Sequence, residues 1–338
     1  MILGDLGADV IRIERPGQLP KEGQVADQLL RNRTVVQADL KDADDKRAII
    51  DLIVKADVVL EGYRPGVTER LGFGPDDVRA VNPRAVYGRM TGWGQDGPLA
   101  HTAGHDINYI SLTGLLHAVG RADETPVPPL NLFGDFGGGS MFLVLGVVSA
   151  LFERERSGLG QTVDAAMVDG ANVLAQMMWS FRGNGVWQDE RGSNLLDSGA
   201  PFYEVYETSD GKYMSVGAIE PAFYKELLRG IGIIDDPSLP RQMDKAHWPA
   251  TKRRFAEIFK TRTRDQWTEI FDGTDACTTP VLEWSEAPDN AHMKSRGNLI
   301  SLDGVTQAAV APRFSRTVTS QPSPPVRTAT DPRTLWGD

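Results

Sequence analysis

Two stretches carry residue types that could move a proton. "GHDINYISLTG", residues 104–114, sets His105 and Asp106 directly ahead of an apolar run with helical spacing. Thirty residues on, "NLFGDFGGGSM" sets Asp135 ahead of a second apolar run. An imidazole titrates near pH 6.5 and an ordinary aspartate near 3.9. Delivered from two separate helix starts, either group could act as an acid or base. The plain alternative is structural: a hydrogen-bonded histidine, and an aspartate that caps the helix after it. On the residues alone both readings stand.

Other motifs weigh less. "GWGQDG" places Gly92, Gly94 and Gly97 in a G-x-G-x-x-G pattern after a strand-like run, but Pro98 follows and no periodic helix begins there. A dinucleotide fingerprint needs that helix, so a turn in a pocket wall is the better reading. His101 and His105 are four apart, yet Gly104 lies between them and no H-E-x-x-H pattern is present, so no metal site is expected. There is no G-x-S-x-G nucleophile elbow. Arg12, Arg15, Arg31, Arg33, Lys41, Arg64 and Arg70 read singly as solvated surface. As a set on the ligand edge of a sheet they could hold several phosphates.

Composition bounds the rest. The 338 residues, 41% hydrophobic, suffice for one large or two ordinary domains. A net charge of −10 argues against nucleic acid or an anionic membrane as partner. The excess acid lies beyond residue 90, since residues 1–90 hold 14 basic against 15 acidic side chains. Cys277 is the only cysteine, which rules out an intrachain disulfide and fits a reducing, cytoplasmic setting. The N-terminal "MILGDLGADVIRIERP" has no signal-peptide pattern, and the final "LWGD" is no peroxisomal address. The longest apolar run, Met141 to Phe152, is short for a membrane span.

The elements that must position these groups follow from periodicity. "DVIRIE", "TVVQADL", "ADVVLEG" and "AVYGRM" read as strands, with the helix "DADDKRAIIDLIVKA" between the second and third. Ile49, Leu52 and Ile53 share one face of that helix, and its acidic start suits the helix dipole. This order predicts a parallel sheet with crossover helices. A nearly all-apolar helix follows over 137–153, stopped by "RERSGLG"; then come the strand "QTVDAAM" and the helix "VDGANVLAQMMWSF". After a polar, glycine-bearing stretch, "FYEVYET" and "KYMSVGA" predict a hairpin around "SDG". Helices are expected near 221–231, 251–259 and 264–271, and the proline-rich end should drape over another surface.

Taken together, "LGADVIRIERP", "LLRNR", "ADLK", "EGYRPGVTERLG", "RMTGWGQDGP", "AGHDINYISLTGLLHAVG", "GDFGGGSM", "VDAAMVDG", "VGAIEP" and "APRFSRT" resemble the alpha-methylacyl-CoA racemases of the family III CoA-transferase superfamily. "GHDINYIS" and "VGAIEP" carry the racemase branch, while "LGADVIRIE" is shared more widely. The resemblance covers nearly the whole chain. It implies an α/β fold: a large Rossmann-like CoA-binding domain over 1–182, a linker over 183–200 and a small α+β domain over 201–295. Residues 296–338 would return to the large domain. It also implies an interlocked homodimer, with each site bounded by one chain's large domain and its partner's small domain.

The resemblance implies a reaction as well: inversion of 2-methylacyl-CoA thioesters, with CoA as part of the substrate and no separate cofactor. His105 and Asp135 would be the acid/base pair, and Glu220 would orient or charge the histidine. Backbone N–H groups at the helix opening with Asp106 would face the enolate oxygen. Arg15, then Ala38, Asp39, Leu40 and Lys41, then Gly62, Tyr63, Arg64 and Arg70 would hold the nucleotide end. Gly104, Ile107, Asn108 and Tyr109 would line the thioester end. Family members begin about twenty residues earlier with a strand and a glycine-rich turn, so an upstream segment is expected to precede Met1. Two alternatives remain: a CoA-transferase in which Asp135 attacks the acyl group, and a non-catalytic CoA-binding or scaffolding protein.

Overall fold

The computed structural model describes residues 1–20, 24 and 26–336. Of the terminal "LWGD", Gly337 and Asp338 lie outside the described residues. The chain opens with a short helix α1 (Ile2–Asp5), then β1 (Ile11–Glu14), β2 (Thr34–Gln37), α2 (Ala43–Lys55) and β3 (Val58–Glu61). Next come α3 (Val67–Leu71), α4 (Pro75–Val81), β4 (Val86–Thr91), α5 (Asp106–Leu112) and α6 (Leu115–Ala118). A π-helical run, Leu132–Ser140, continues into α7 (Met141–Ser157), followed by β5 (Thr162–Ala166), α8 (Met167–Leu174) and α9 (Gln176–Gly183). Then follow β6 (Tyr203–Glu207), β7 (Tyr213–Gly217), α10 (Pro221–Gly230), α11 (Trp248–Phe259) and α12 (Arg264–Phe271). The chain closes with β8 (Thr278–Val281), α13 (Ala291–Arg296), β9 (Leu299–Leu302) and β10 (Val305–Ala308).

Two compact units emerge, each discontinuous in sequence. The first comprises Met1–Tyr109, Leu132–Ala171 and Ala287–Asp338, the second Ile110–Asn131 and Asn172–Glu286. These bounds differ from the division drawn along the chain at 182, 200 and 295. The stretch 183–200 is no bare linker, because buried Asn194 donates to the carbonyls of Gln188 and Glu190 and to the Asp197 carboxylate.

The first unit is built on parallel strands, as the alternation of strands and helices predicts. β1 pairs with β2, and β3, β4 and β5 run parallel with β4 central. α2 starts where the Asp42 carboxylate accepts from the Asp44 and Asp45 amides, and its Ile49, Leu52 and Ile53 are buried. They pack with Val36, Phe73, Val78 and Tyr87. The C-terminal segment lies on this unit: the Thr330 amide donates to the Val35 carbonyl, and Leu335 and Trp336 pack on the same cluster. β9 and β10 form a hairpin around Asp303 and Gly304, both at positive φ.

α7 buries Val147 and Ala150 against Val86 of β4 and ends at Gly158, whose φ of 78° closes the helix. Its opposite side leaves Met141, Leu145, Val148 and Phe152 exposed at helical spacing. With the π-helical run before it, the stretch Leu132–Ser157 is 26 residues, long and apolar enough by length and composition to cross a membrane. That corrects the shorter length read from the apolar run alone. The run missed the polar Asp135 turn because the helix continues through it.

The second unit packs helices on the antiparallel sheet β6–β7–β8. The expected hairpin turns at Gly211, and β8 adds to the far side of β7. Its core is aromatic, with Phe202, Tyr206, Trp248, Phe255, Phe259, Trp267 and Phe271 all buried.

Candidate active site

The two helix starts picked out in the sequence meet through one carboxylate. Asp106, 3% exposed, accepts hydrogen bonds at Oδ2 from the backbone N–H groups of Gly134 (2.6 Å) and Asp135 (2.8 Å). The residue after the histidine thus grips the peptide that carries the aspartate. The bond from Gly134 is buried and that from Asp135 is part-buried. The backbone must come close for this: a Cβ on Gly134 would stand 2.8 Å from Asp106 Oδ2. Asp135 itself sits in the π-helical run, a helix form concentrated at functional sites.

His105 is exposed and precedes α5; its amide donates to Asn108 Oδ1, and its carbonyl accepts from the amides of Asn108 and Tyr109. The Asp106 amide, at the helix start, has no acceptor among the described residues. Asp106 Oδ1 is also buried without a hydrogen-bond partner. Tyr109 is buried, donates its hydroxyl to the Gly104 carbonyl and meets the Trp93 ring edge-on at 4.8 Å. Burial, and then the Asp135 carboxylate, push the Tyr109 phenol upward. It therefore stays protonated and keeps donating. "GWGQDG" is a turn, and Gly92 has a steric role there: a Cβ would lie 2.0 Å from the Tyr109 ring. His101 lies in a turn before α5, so it shares no helix face with His105. Among the described residues no group of three His, Cys, Asp or Glu side chains could hold a metal ion.

Most of the residues expected at the nucleotide end follow the carboxyl ends of strands in the two parallel sheets, the strand ends where α/β sheets bind ligands. Arg15 follows β1; Ala38, Asp39, Leu40 and Lys41 follow β2; Gly62, Tyr63 and Arg64 follow β3. Arg70 stands in α3. Ala38 and Leu40 belong to the core cluster, while Asp39 shapes the turn by accepting from the Lys41 amide. Arg15, Lys41, Arg64 and Arg70 are exposed, and none forms an ion pair within the described residues. Arg31 separates from this set. It is 1% exposed and bound by two hydrogen bonds to Asp5, a structural pair. Arg12 pairs with Glu14. Ile107 and Asn108 lie exposed on the first turn of α5. Glu220 belongs to the second unit, as the residue before α10 and beside Cys277.

Three residues escaped the reading by sequence: Arg89, Glu61 and Glu69. Arg89, inside β4, binds Glu61 and Glu69 at 2.8 Å each, and the second Glu61 oxygen accepts from the Tyr63 amide at 2.7 Å. The available signal was an arginine in an otherwise apolar strand, which needs a buried partner.

Comparison with known proteins places this arrangement. The chain is 45% identical over 319 residues to alpha-methylacyl-CoA racemase of Mus musculus, covering 94% of this chain and 82% of the relative. It is 42% identical over 325 residues to the Homo sapiens racemase, covering 96% and 83%. A crystal structure of a CAIB/BAIF family protein from Brucella suis superposes with a TM-score of 0.80 at 25% identity, over 98% of this chain and 91% of that one. The model of CoA-transferase family III matches residues 1–333, so the parallel sheet and its paired helix starts are those of a chain that belongs to CoA-transferase family III.

Proposed function

We propose that this protein interconverts the (R) and (S) forms of 2-methylacyl-CoA thioesters by moving one proton at the carbon next to the thioester. The carrying observation is the pair of bonds from the Gly134 and Asp135 amides to Asp106, which tie the aspartate's helix to the residue beside His105. The likeness to two racemases supports the substrate class. In one direction the neutral imidazole takes the α-proton and protonated Asp135 returns one to the opposite face; in the other the roles exchange. The intermediate enolate bears its charge on the thioester oxygen, and the unpartnered Asp106 amide is the candidate donor to it. After each turnover the pair has swapped one proton, which solvent exchange resets. CoA is held as part of the substrate, with no separate cofactor, and its phosphates fall to Arg15, Lys41, Arg64 and Arg70. Glu220 would orient or charge the histidine.

The working molecule in this reading is an interlocked homodimer. Support comes from the exposed stripe Met141, Leu145, Val148 and Phe152, an apolar face that a second copy would cover. The experiment separating a racemase from a transferase is trapping. After incubation with acyl-CoA and hydroxylamine, Asp135 should show no modification by mass spectrometry. A hydroxamate mapped to Asp135, with acyl transfer to a free acid, would assign the transferase chemistry instead.

A further inference from the structure

We propose that Arg89 is a positioning residue for the CoA nucleotide, clamping the segment 61–70 that presents Arg64 and Arg70. This rests on the CoA-thioester reading above. The segment leaves β3 at Glu61 and ends in α3, with Gly66 at a φ of 79° between. Arg89 reaches both ends from the neighbouring strand: its Nε bonds Glu61 and one terminal nitrogen bonds Glu69. Glu61 is 5% exposed on its side chain and passes the hold onward through its second oxygen to the Tyr63 amide. Arg70 folds back over the same loop, since a Cβ on Gly66 would stand 3.3 Å from its terminal nitrogen. The guanidinium works as a fork with two carboxylates, a geometry that lysine's single ammonium cannot reproduce. Burial opposes the charge on Arg89, but the bonds to Glu69 and Glu61 outweigh it and raise its pKa. The clamp is therefore charged throughout the working range. Neither Arg89 nor Glu61 needs to touch the ligand.

The test compares a substrate that has the nucleotide with one that lacks it. CoA affinity is measured by calorimetry for wild type, Arg89→Lys and Glu69→Gln. Racemisation is measured with a 2-methylacyl-CoA and with the matching pantetheine thioester. In Arg89→Lys the Kd for CoA and the KM of the CoA thioester should rise about tenfold. In Glu69→Gln they should rise about threefold. For both variants kcat and the pantetheine thioester's kcat/KM should hold at wild-type values. Glu69 is 42% exposed on its side chain, so Glu69→Gln decides the question even where Arg89→Lys fails to fold. Unchanged CoA affinity in the folded variants, or equal losses with both thioesters, overturns the clamp. Wild type that binds CoA without racemising would remove the proposed reaction while the affinity series still judges the clamp. Wild type that binds no CoA overturns both.

Discussion

At the scale of single residues, the proposed proton transfer depends on Asp106 as much as on His105 and Asp135. His105→Ala and Asp135→Asn should each lower kcat at least about a hundredfold, with CoA affinity nearly unchanged, because the proposed phosphate contacts are Arg15, Lys41, Arg64 and Arg70. Chiral analysis of product against calorimetric Kd checks this. Asp106→Ala removes the acceptor of one buried and one part-buried amide, costing about 1–3 kcal/mol of stability. A denaturant titration with kinetics on the folded fraction should show this loss together with a lower kcat; wild-type kcat in that fraction would detach Asp106 from the mechanism. The nearness of the two helix starts that carry His105 and Asp135 was not legible from spacing alone. Nor was the side-chain role of Asp106: the sequence pointed to its backbone N–H, and only folding brought residues 106 and 134 together.

At the scale of elements, close backbone approach is the governing feature. Gly134→Ala puts a methyl 2.8 Å from Asp106 Oδ2 and 3.2 Å from its Cα, so the two helix starts must part. Racemisation should fall about tenfold or more while global stability drops by only about 1–3 kcal/mol, as for overpacking. Thermal melts alongside turnover measure the contrast. A second prediction concerns β6 in the second unit, where Glu204 faces Arg121 and Lys252. Burial raises the Glu204 pKa, but Arg121, the Val205 amide and Lys252 outweigh it, and the net direction is down from 4.5. A carboxyl depressed on folding stabilises above its unfolded pKa and loses that contribution as pH falls through the folded value. Tm should therefore drop below about pH 4.5, and Glu204→Gln should flatten that part of the profile. An unaltered slope in the variant would contradict it. Strand–helix alternation made β1 to β5 legible because parallel sheets leave branched apolar runs. β8 escaped since Pro280 breaks the strand pattern, as at sheet edges, and the β9–β10 hairpin hid although its Asp-Gly turn was a fair signal.

At the scale of the molecule, α7 shows what periodicity alone leaves open. Its apolar residues run all round the helix, yet one side packs on the sheet and the other carries exposed Leu145 and Phe152. Composition could not tell a core helix from an interface helix, because both are apolar on every face. Wild type should sediment as a dimer, and Leu145→Glu with Phe152→Glu should yield monomer with greatly reduced turnover; a monomeric, fully active wild type would refute the interlocked assembly. Proton exchange at one carbon by His105 and Asp135 is tested most directly by proton NMR of a single 2-methylacyl-CoA epimer incubated in D2O. The Cα proton signal should disappear, deuterium should enter both epimers, and they should converge on a near-equal mixture. A retained Cα proton with full configuration, in the presence of folded, CoA-binding protein, would contradict that exchange.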